Sequence, residues 1–126
     1  IGAHAFHGCS SLKNVEFPDT MVRICKGAFS GCSSLGTLTL PLSVEYIEEY
    51  AFQNCASLKT MTLGSGIKEI EIRAFSGCPL LKTVYYGGSE EELKNLKENG
   101  GIAIDNGPFD AIESDGVNIV YNYSAK

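Results

Sequence analysis

Tryptophan is absent from the 126 residues, and methionine and histidine occur twice each. No apolar run exceeds a few residues, Ile119-Val120-Tyr121 being typical, whereas a bilayer crossing takes about 20. The sequence therefore carries no membrane-spanning segment. No Cys-x-x-Cys pair, G-x-G-x-x-G string or P-loop occurs, which removes the usual zinc, dinucleotide and nucleoside-triphosphate signatures. Basic residues are outnumbered, 10 against 15 acids, and phosphate-backbone binding needs the opposite balance. The chain opens Ile1-Gly2-Ala3-His4 without initiator Met or apolar leader. It reads as an excerpt of a longer protein, with further repeats expected upstream.

What is present suits a folded domain: 44% hydrophobic and 20% charged residues can bury a core. Charge is divided unevenly. Acids and bases balance over residues 1–87, so the whole net charge of −5 falls in 88–126. That break marks a change of architecture.

Residues 1–87 are repetitive. Ala-Phe recurs at Ala5-Phe6, Ala28-Phe29, Ala51-Phe52 and Ala74-Phe75, a period of 23 without slippage. In the same register run Ile1, Ile24, Ile47 and Ile70; Cys9, Cys32, Cys55 and Cys78; Leu12, Leu35, Leu58 and Leu81; and the pairs Val15/Phe17, Leu38/Leu40, Met61/Leu63 and Val84/Tyr86. Within a unit, Ile24, Ala28, Phe29, Cys32 and Leu35 are spaced for one face of a short helix or a run of helical turns. The pairs that follow alternate with polar residues, the mark of a strand about three residues long with one buried face. Pro18, Pro41, Gly64 and Gly87 stop it. Met21, Val44 and Ile67 mark a second short extended piece on the other side. A unit this small cannot bury its apolar face alone, so stacking is obligatory, with strands of consecutive units in parallel about 4.8 Å apart.

The string Ala28-Phe29-Ser30-Gly31-Cys32-Ser33-Ser34-Leu35, with Leu12-Lys13-Asn14-Val15-Glu16-Phe17, resembles the BspA-like leucine-rich-repeat family. The resemblance covers residues 1–87. It departs where Asn54 replaces the glycine of Gly8, Gly31 and Gly77, where Pro79 follows Cys78, and where Cys25, Glu48 and Glu71 fill a slot often occupied by glycine, as by Gly2. It implies an α/β fold: a right-handed solenoid with short parallel strands on the concave face, helical turns outside and a C-terminal cap. Four units, the first incomplete, occupy 1–87, and 88–126 form the cap. Tyr85-Tyr86-Gly87-Gly88-Ser89-Glu90-Glu91-Glu92 and Tyr121-Asn122-Tyr123 also resemble the family's C-terminal end.

In that closing region Ser89 reads as an N-cap with Glu92 at the capping-box position. Leu93 and Leu96 face inward, and Asn99-Gly100-Gly101 end the helix. Ile102 and Ile104 alternate briefly, Asn106-Gly107-Pro108 break the chain, and residues 118–123 have the composition of a closing strand. Such a segment lids the last hydrophobic layer of the array.

The column cysteines are expected to be free and buried as small apolar groups, since a stacked column rarely supplies disulfide geometry; Cys25 lies off the column. His4, His7 and Cys9 are a weak ligand trio, and no metal or cofactor is expected. The slots equivalent to His4 hold Gly27, Tyr50 and Arg73, and those equivalent to His7 hold Ser30, Gln53 and Ser76, which reads as solvated turns instead of a catalytic base. Glu48-Glu49 and Glu90-Glu91-Glu92 read as solvated charge. Asp110 and Asp115-Gly116 lack the alternation of a calcium loop, and Asn122-Tyr123-Ser124 is a common sequon.

A surface remains. Asn14 and Glu16, Thr37 and Thr39, Thr60 and Thr62, and Thr83 and Tyr85 project away from the buried strand positions. This ladder is either inert, threonine being a good exposed strand residue, or a platform for a protein or glycan, with Tyr85 as its anchor. The resemblance implies a non-enzymatic extracellular or cell-surface interaction module contacting host or neighbouring-cell macromolecules; the acidic balance argues against nucleic acid, and a monomer is expected. The alternative is a stalk or spacer without its own ligand.

Overall fold

The computed structural model describes residues 5–103, 106 and 118–123. Each unit becomes one coil of a solenoid, held to its neighbours by hydrogen-bonded ladders. Two-residue strands β1 (Arg23–Ile24), β3 (Tyr46–Ile47) and β5 (Glu69–Ile70) form one parallel sheet. On the other side of each coil, β2 (Thr37–Thr39), β4 (Thr60–Leu63) and β6 (Thr83–Tyr86) form a second, extended by β7 (Asn118–Val120) of the closing segment. Every pairing is parallel, and the repeats pair at one full unit, Thr37 with Thr60 and Thr60 with Thr83.

The Ala-Phe segment is a run of turns and not a helix, because its amides serve two masters. Ala28, Ser30 and Cys32 donate to carbonyls three residues back, Cys25, Gly27 and Phe29. The intervening Gly27, Phe29 and Gly31 donate to Glu49, Ala51 and Gln53 of the next coil, at 2.7–2.9 Å. A helix would spend all these donors internally; alternating turns free every second one to bind coil to coil.

Those turns need left-handed backbone twice per coil. Gly8, Gly31, Asn54 and Gly77 have φ of +60 to +77°, and so do Gly27 at +62°, Tyr50 at +60° and Arg73 at +58°. The second series is the slot expected to be merely solvated. Gly27 there is buried and Tyr50 half-buried, and the position is a backbone requirement. A β-carbon on Gly31 meets nothing closer than 3.5 Å, whereas one on Gly77 would lie 2.1 Å from Asn54 Oδ1. Asn54 is exposed, so its amide can swing aside, and the left-handed backbone sets the larger cost. Gly31→Ala should destabilise by about 1 kcal/mol, and Gly77→Ala by slightly more. Asn54→Gly in a double-mutant cycle should erase that difference; equal costs without it would show no coil-to-coil contact.

The core lies between the two sheets and the turns. Phe29, Phe52 and Phe75 are fully buried and stack in file with Phe6, ring centroids 5.1, 5.3 and 5.4 Å apart and planes within 8° of parallel. Ile24, Ile47, Ile70, Leu35, Leu58 and Met61 complete the layers.

The first coil is looser. Cys9, Leu12, Val15, Phe17 and Met21 are only partly buried, and 14–17 form no strand, contrary to the alternation of Val15 and Phe17. With less apolar burial per residue, the segment lacks what holds the later strands flat against the core.

At the other end α1 (Glu90–Glu98) begins as expected: Glu92 N–H donates to Ser89 Oγ at 3.1 Å, and Ser89 N–H to Glu92 Oε1 at 3.0 Å. Leu93 is buried and Leu96 half-buried. The closing segment then continues each ladder. Ile102 bridges Ile70 in the first sheet, β7 extends the second, and a side chain continues the third. Phe29 and Phe52 N–H donate to Ala51 and Ala74 carbonyls, but Phe75 N–H donates to Asn106 Oδ1 at 3.1 Å. Asn106 Nδ2 donates to the carbonyls of Glu71 and Ala103 at 3.0 and 2.8 Å. Fully buried, this amide stands in for the peptide group of a further coil. Ile104, Gly107 and Pro108 lie outside the described residues, as do Asp110, Asp115-Gly116 and Ser124.

Candidate functional site

The second sheet buries Leu38, Met61 and Val84 and turns their neighbours outward. Its outer face carries two rows set by the pairing register: Thr37, Thr60, Thr83 and Asn118, then Thr39, Thr62, Tyr85 and Val120. Thr60 Oγ1 donates to Thr37 Oγ1 at 3.4 Å. Thr37 and Thr39 are exposed; the others of β4 and β6 are half-buried. None of the four strands contains a charged residue, although a fifth of the chain is charged.

Six of the eight expected platform residues are thus brought together. Asn14 and Glu16 are not: both are exposed but lie in the first coil's unpaired segment. Asn118, Val120 and Tyr123 were missed. Tyr123 packs on Tyr85 with ring centroids 4.8 Å apart and planes tilted by 46°, so Tyr85 stands on this face as half of an aromatic pair. Val120, two residues after Asn118 in a β-type run, was the available signal for the extension of the rows; nothing local predicts the Tyr85–Tyr123 contact.

The first sheet presents a different surface. Arg23 lies over the Tyr46 ring, 4.5 Å from its centroid, and pairs with Glu48 at 2.5 Å; Lys68 pairs with Glu45 at 3.3 Å. Beside it Glu49, Glu69, Ile70, Glu71, Ile72, Gly100 and Ala103 line an open hollow of about 300 Å³. Burial, then the hydrogen-bonded Glu69, push the Glu71 carboxyl up, against the pull of Glu49 N–H. Among the described residues no group of three His, Cys, Asp or Glu side chains is placed to hold a metal, and His4 lies outside them. No helix among the described residues is long and apolar enough to cross a membrane.

The cysteines are free: Cys32, Cys55 and Cys78 buried, Cys9 and Cys25 half-buried. Each buried thiol donates to a phenylalanine carbonyl of the preceding coil, Cys32 to Phe6 at 3.3 Å, Cys55 to Phe29 at 3.4 Å and Cys78 to Phe52 at 3.2 Å. Burial holds the Cys32 thiol above its ordinary 9.0; the adjacent Cys78, then burial, hold Cys55 up. Stability from such groups is intact below the unfolded pKa near 9.0. It is lost as pH rises from there toward the folded value, by up to about 1.4 kcal/mol per pH unit and thiol. Melting temperature should therefore drop above pH 9.0, and less steeply in Cys32→Ala, whose thiol is raised by burial and not by a paired thiol. Parallel slopes would refute it. In native labelling Cys9 should react and the buried three resist.

A parallel-stranded repeat solenoid with a regular exposed sheet face belongs to the leucine-rich-repeat class. The BspA type leucine rich repeat region matches residues 1–99 in six copies, and the chain belongs to that family. No curated protein matches it. Among solved structures it is similar to a leucine rich cell surface protein of Faecalibacterium prausnitzii A2-165 (29% identity, TM-score 0.73, covering 75% of this chain and 25% of that one). A leucine-rich repeat protein of Bacteroides ovatus ATCC 8483 is also similar (28%, TM-score 0.71, 95% and 27%), as is the leucine rich repeat protein of T. pallidum (30%, TM-score 0.63, 79% and 54%). The chain thus spans about a quarter of the first two.

Proposed function

We propose that this chain is a non-enzymatic binding segment of a larger extracellular or cell-surface protein, and that the outer face of β2, β4, β6 and β7 receives a macromolecular ligand of a host or neighbouring cell. The observation that carries this reading is the uncharged, in-register face, ending in the Tyr85–Tyr123 pair. An aromatic pair beside an ordered row of hydroxyls is a rigid contact surface that loses little entropy on binding. The cell-surface description of the F. prausnitzii protein supports the location.

The test is biolayer interferometry of the whole chain against purified matrix proteins and mucin. Binding should be abolished when Thr60, Thr62, Thr83 and Tyr85 are all replaced by alanine, with circular dichroism unchanged. Binding that survives would move the site to another face; no binding at all would leave a spacer.

A further inference from the structure

The composition of the outer sheet face also discriminates between kinds of ligand. Protein interfaces place aromatic and apolar groups centrally within a polar rim, and threonine is under-represented among residues that dominate their energy. Here the order is otherwise. Aromatic surface is confined to one end, Tyr85 with Tyr123, and the rest is short hydroxyls, one carboxamide and Val120. Asp, Glu, Lys and Arg are absent from all four strands, so the two rows themselves offer no charge, and the exposed Lys59 and Lys82 lie at their edge, one residue before β4 and β6. The opposite side of the coil, by contrast, carries the ion pairs Arg23–Glu48 and Lys68–Glu45.

We infer that the ligand of this face is an uncharged glycan chain, one sugar ring lying against the Tyr85–Tyr123 pair and the following units crossing Thr62, Thr39 and their neighbours. The inference rests on the binding-platform reading above. Its chemistry is complementary at each point. The apolar C–H face of a pyranose covers an aromatic ring, while hydroxyls and carboxamides act as both donor and acceptor toward sugar hydroxyls. The rows repeat at strand spacing, about 4.8 Å, so a repeating polymer meets equivalent hydroxyls in successive coils. Tyr123, 38% exposed, and the half-buried Tyr85 leave ring surface open to such a contact.

Affinity electrophoresis of the whole chain tests this, in gels containing a neutral β-glucan, α-glucan, xylan or mannan, with heparin and polygalacturonate as charged counterparts. At least one neutral polysaccharide should retard the chain, with little dependence on salt. Tyr85→Ala and Tyr123→Ala should each weaken retardation at least about ten-fold, equivalent to about 1.4 kcal/mol. Thr62→Val, near-isosteric and harmless to the fold, should weaken it several-fold, and Lys26→Ala should not. No retardation by any neutral polysaccharide, retardation by the charged ones alone, or retardation indifferent to both tyrosines would overturn the inference. If the neutral polymers fail while a purified matrix protein binds in a Tyr85-dependent way, the platform stands without the glycan. If nothing binds, both fall.

Discussion

Phe52→Ala lowers the unfolding free energy by about 3–5 kcal/mol, the cost of emptying a buried aromatic site, and this is the largest single-residue effect expected. Phe52 is fully buried and stacks on Phe29 at 5.3 Å and on Phe75 at 5.4 Å, so truncation strips one face from each neighbour as well as opening a cavity. In a repeat array, stability is approximately a sum of unit and interface terms, and Phe52 belongs to two interfaces. Phe6, 38% exposed and stacked on Phe29 at 5.1 Å, gives the internal comparison: Phe6→Ala should cost about 1 kcal/mol, the scale of one aromatic pair. Urea titration of both variants decides it. Equal losses would mean that the stacked phenylalanines are not the central support of the array.

The second large effect is at Asn106. Asn106→Ala removes the acceptor for Phe75 N–H and the donor to the Glu71 and Ala103 carbonyls at once, and buried polar groups deprived of partners cost about 1–3 kcal/mol each. A loss of about 3 kcal/mol is expected, concentrated in the last coil, so that Phe75 amide exchange accelerates far more than that of Phe29. Asn106→Asp keeps an acceptor but sets a carboxylate against two carbonyls near Glu71. It should be as harmful at neutral pH and recover in acid, when the new carboxyl can donate. Unchanged exchange at Phe75 in Asn106→Ala would show that the amide does not end the ladder.

Much of this was legible in the residues. The 23-residue columns name the buried face without ambiguity, because equivalent positions in stacked coils must all be apolar. The alternation at Leu38/Leu40, Met61/Leu63 and Val84/Tyr86 placed the strands of the second sheet, and Ser89 with Glu92 placed the start of α1. Illegible were features that depend on a distant group. Tyr50 and Arg73 give no local sign of left-handed backbone; only Gly27 in the same slot hints at it. Val15 and Phe17 have the pattern of a strand yet pair with nothing strand-like.

The amino-acid order alone determined the unit, its period, its buried columns and the alternation that leaves a threonine ladder outside, since each follows from side-chain type and local spacing. Tertiary structure alone decided that the Ala-Phe turns spend alternate amides on the next coil, that Asn106 replaces a missing peptide group, and that Tyr123 completes the pair with Tyr85. The physical reason is common to all three. A hydrogen bond or ring contact between residues 22 to 38 positions apart leaves no periodic trace within either segment, and it exists only once stacking has brought the two together.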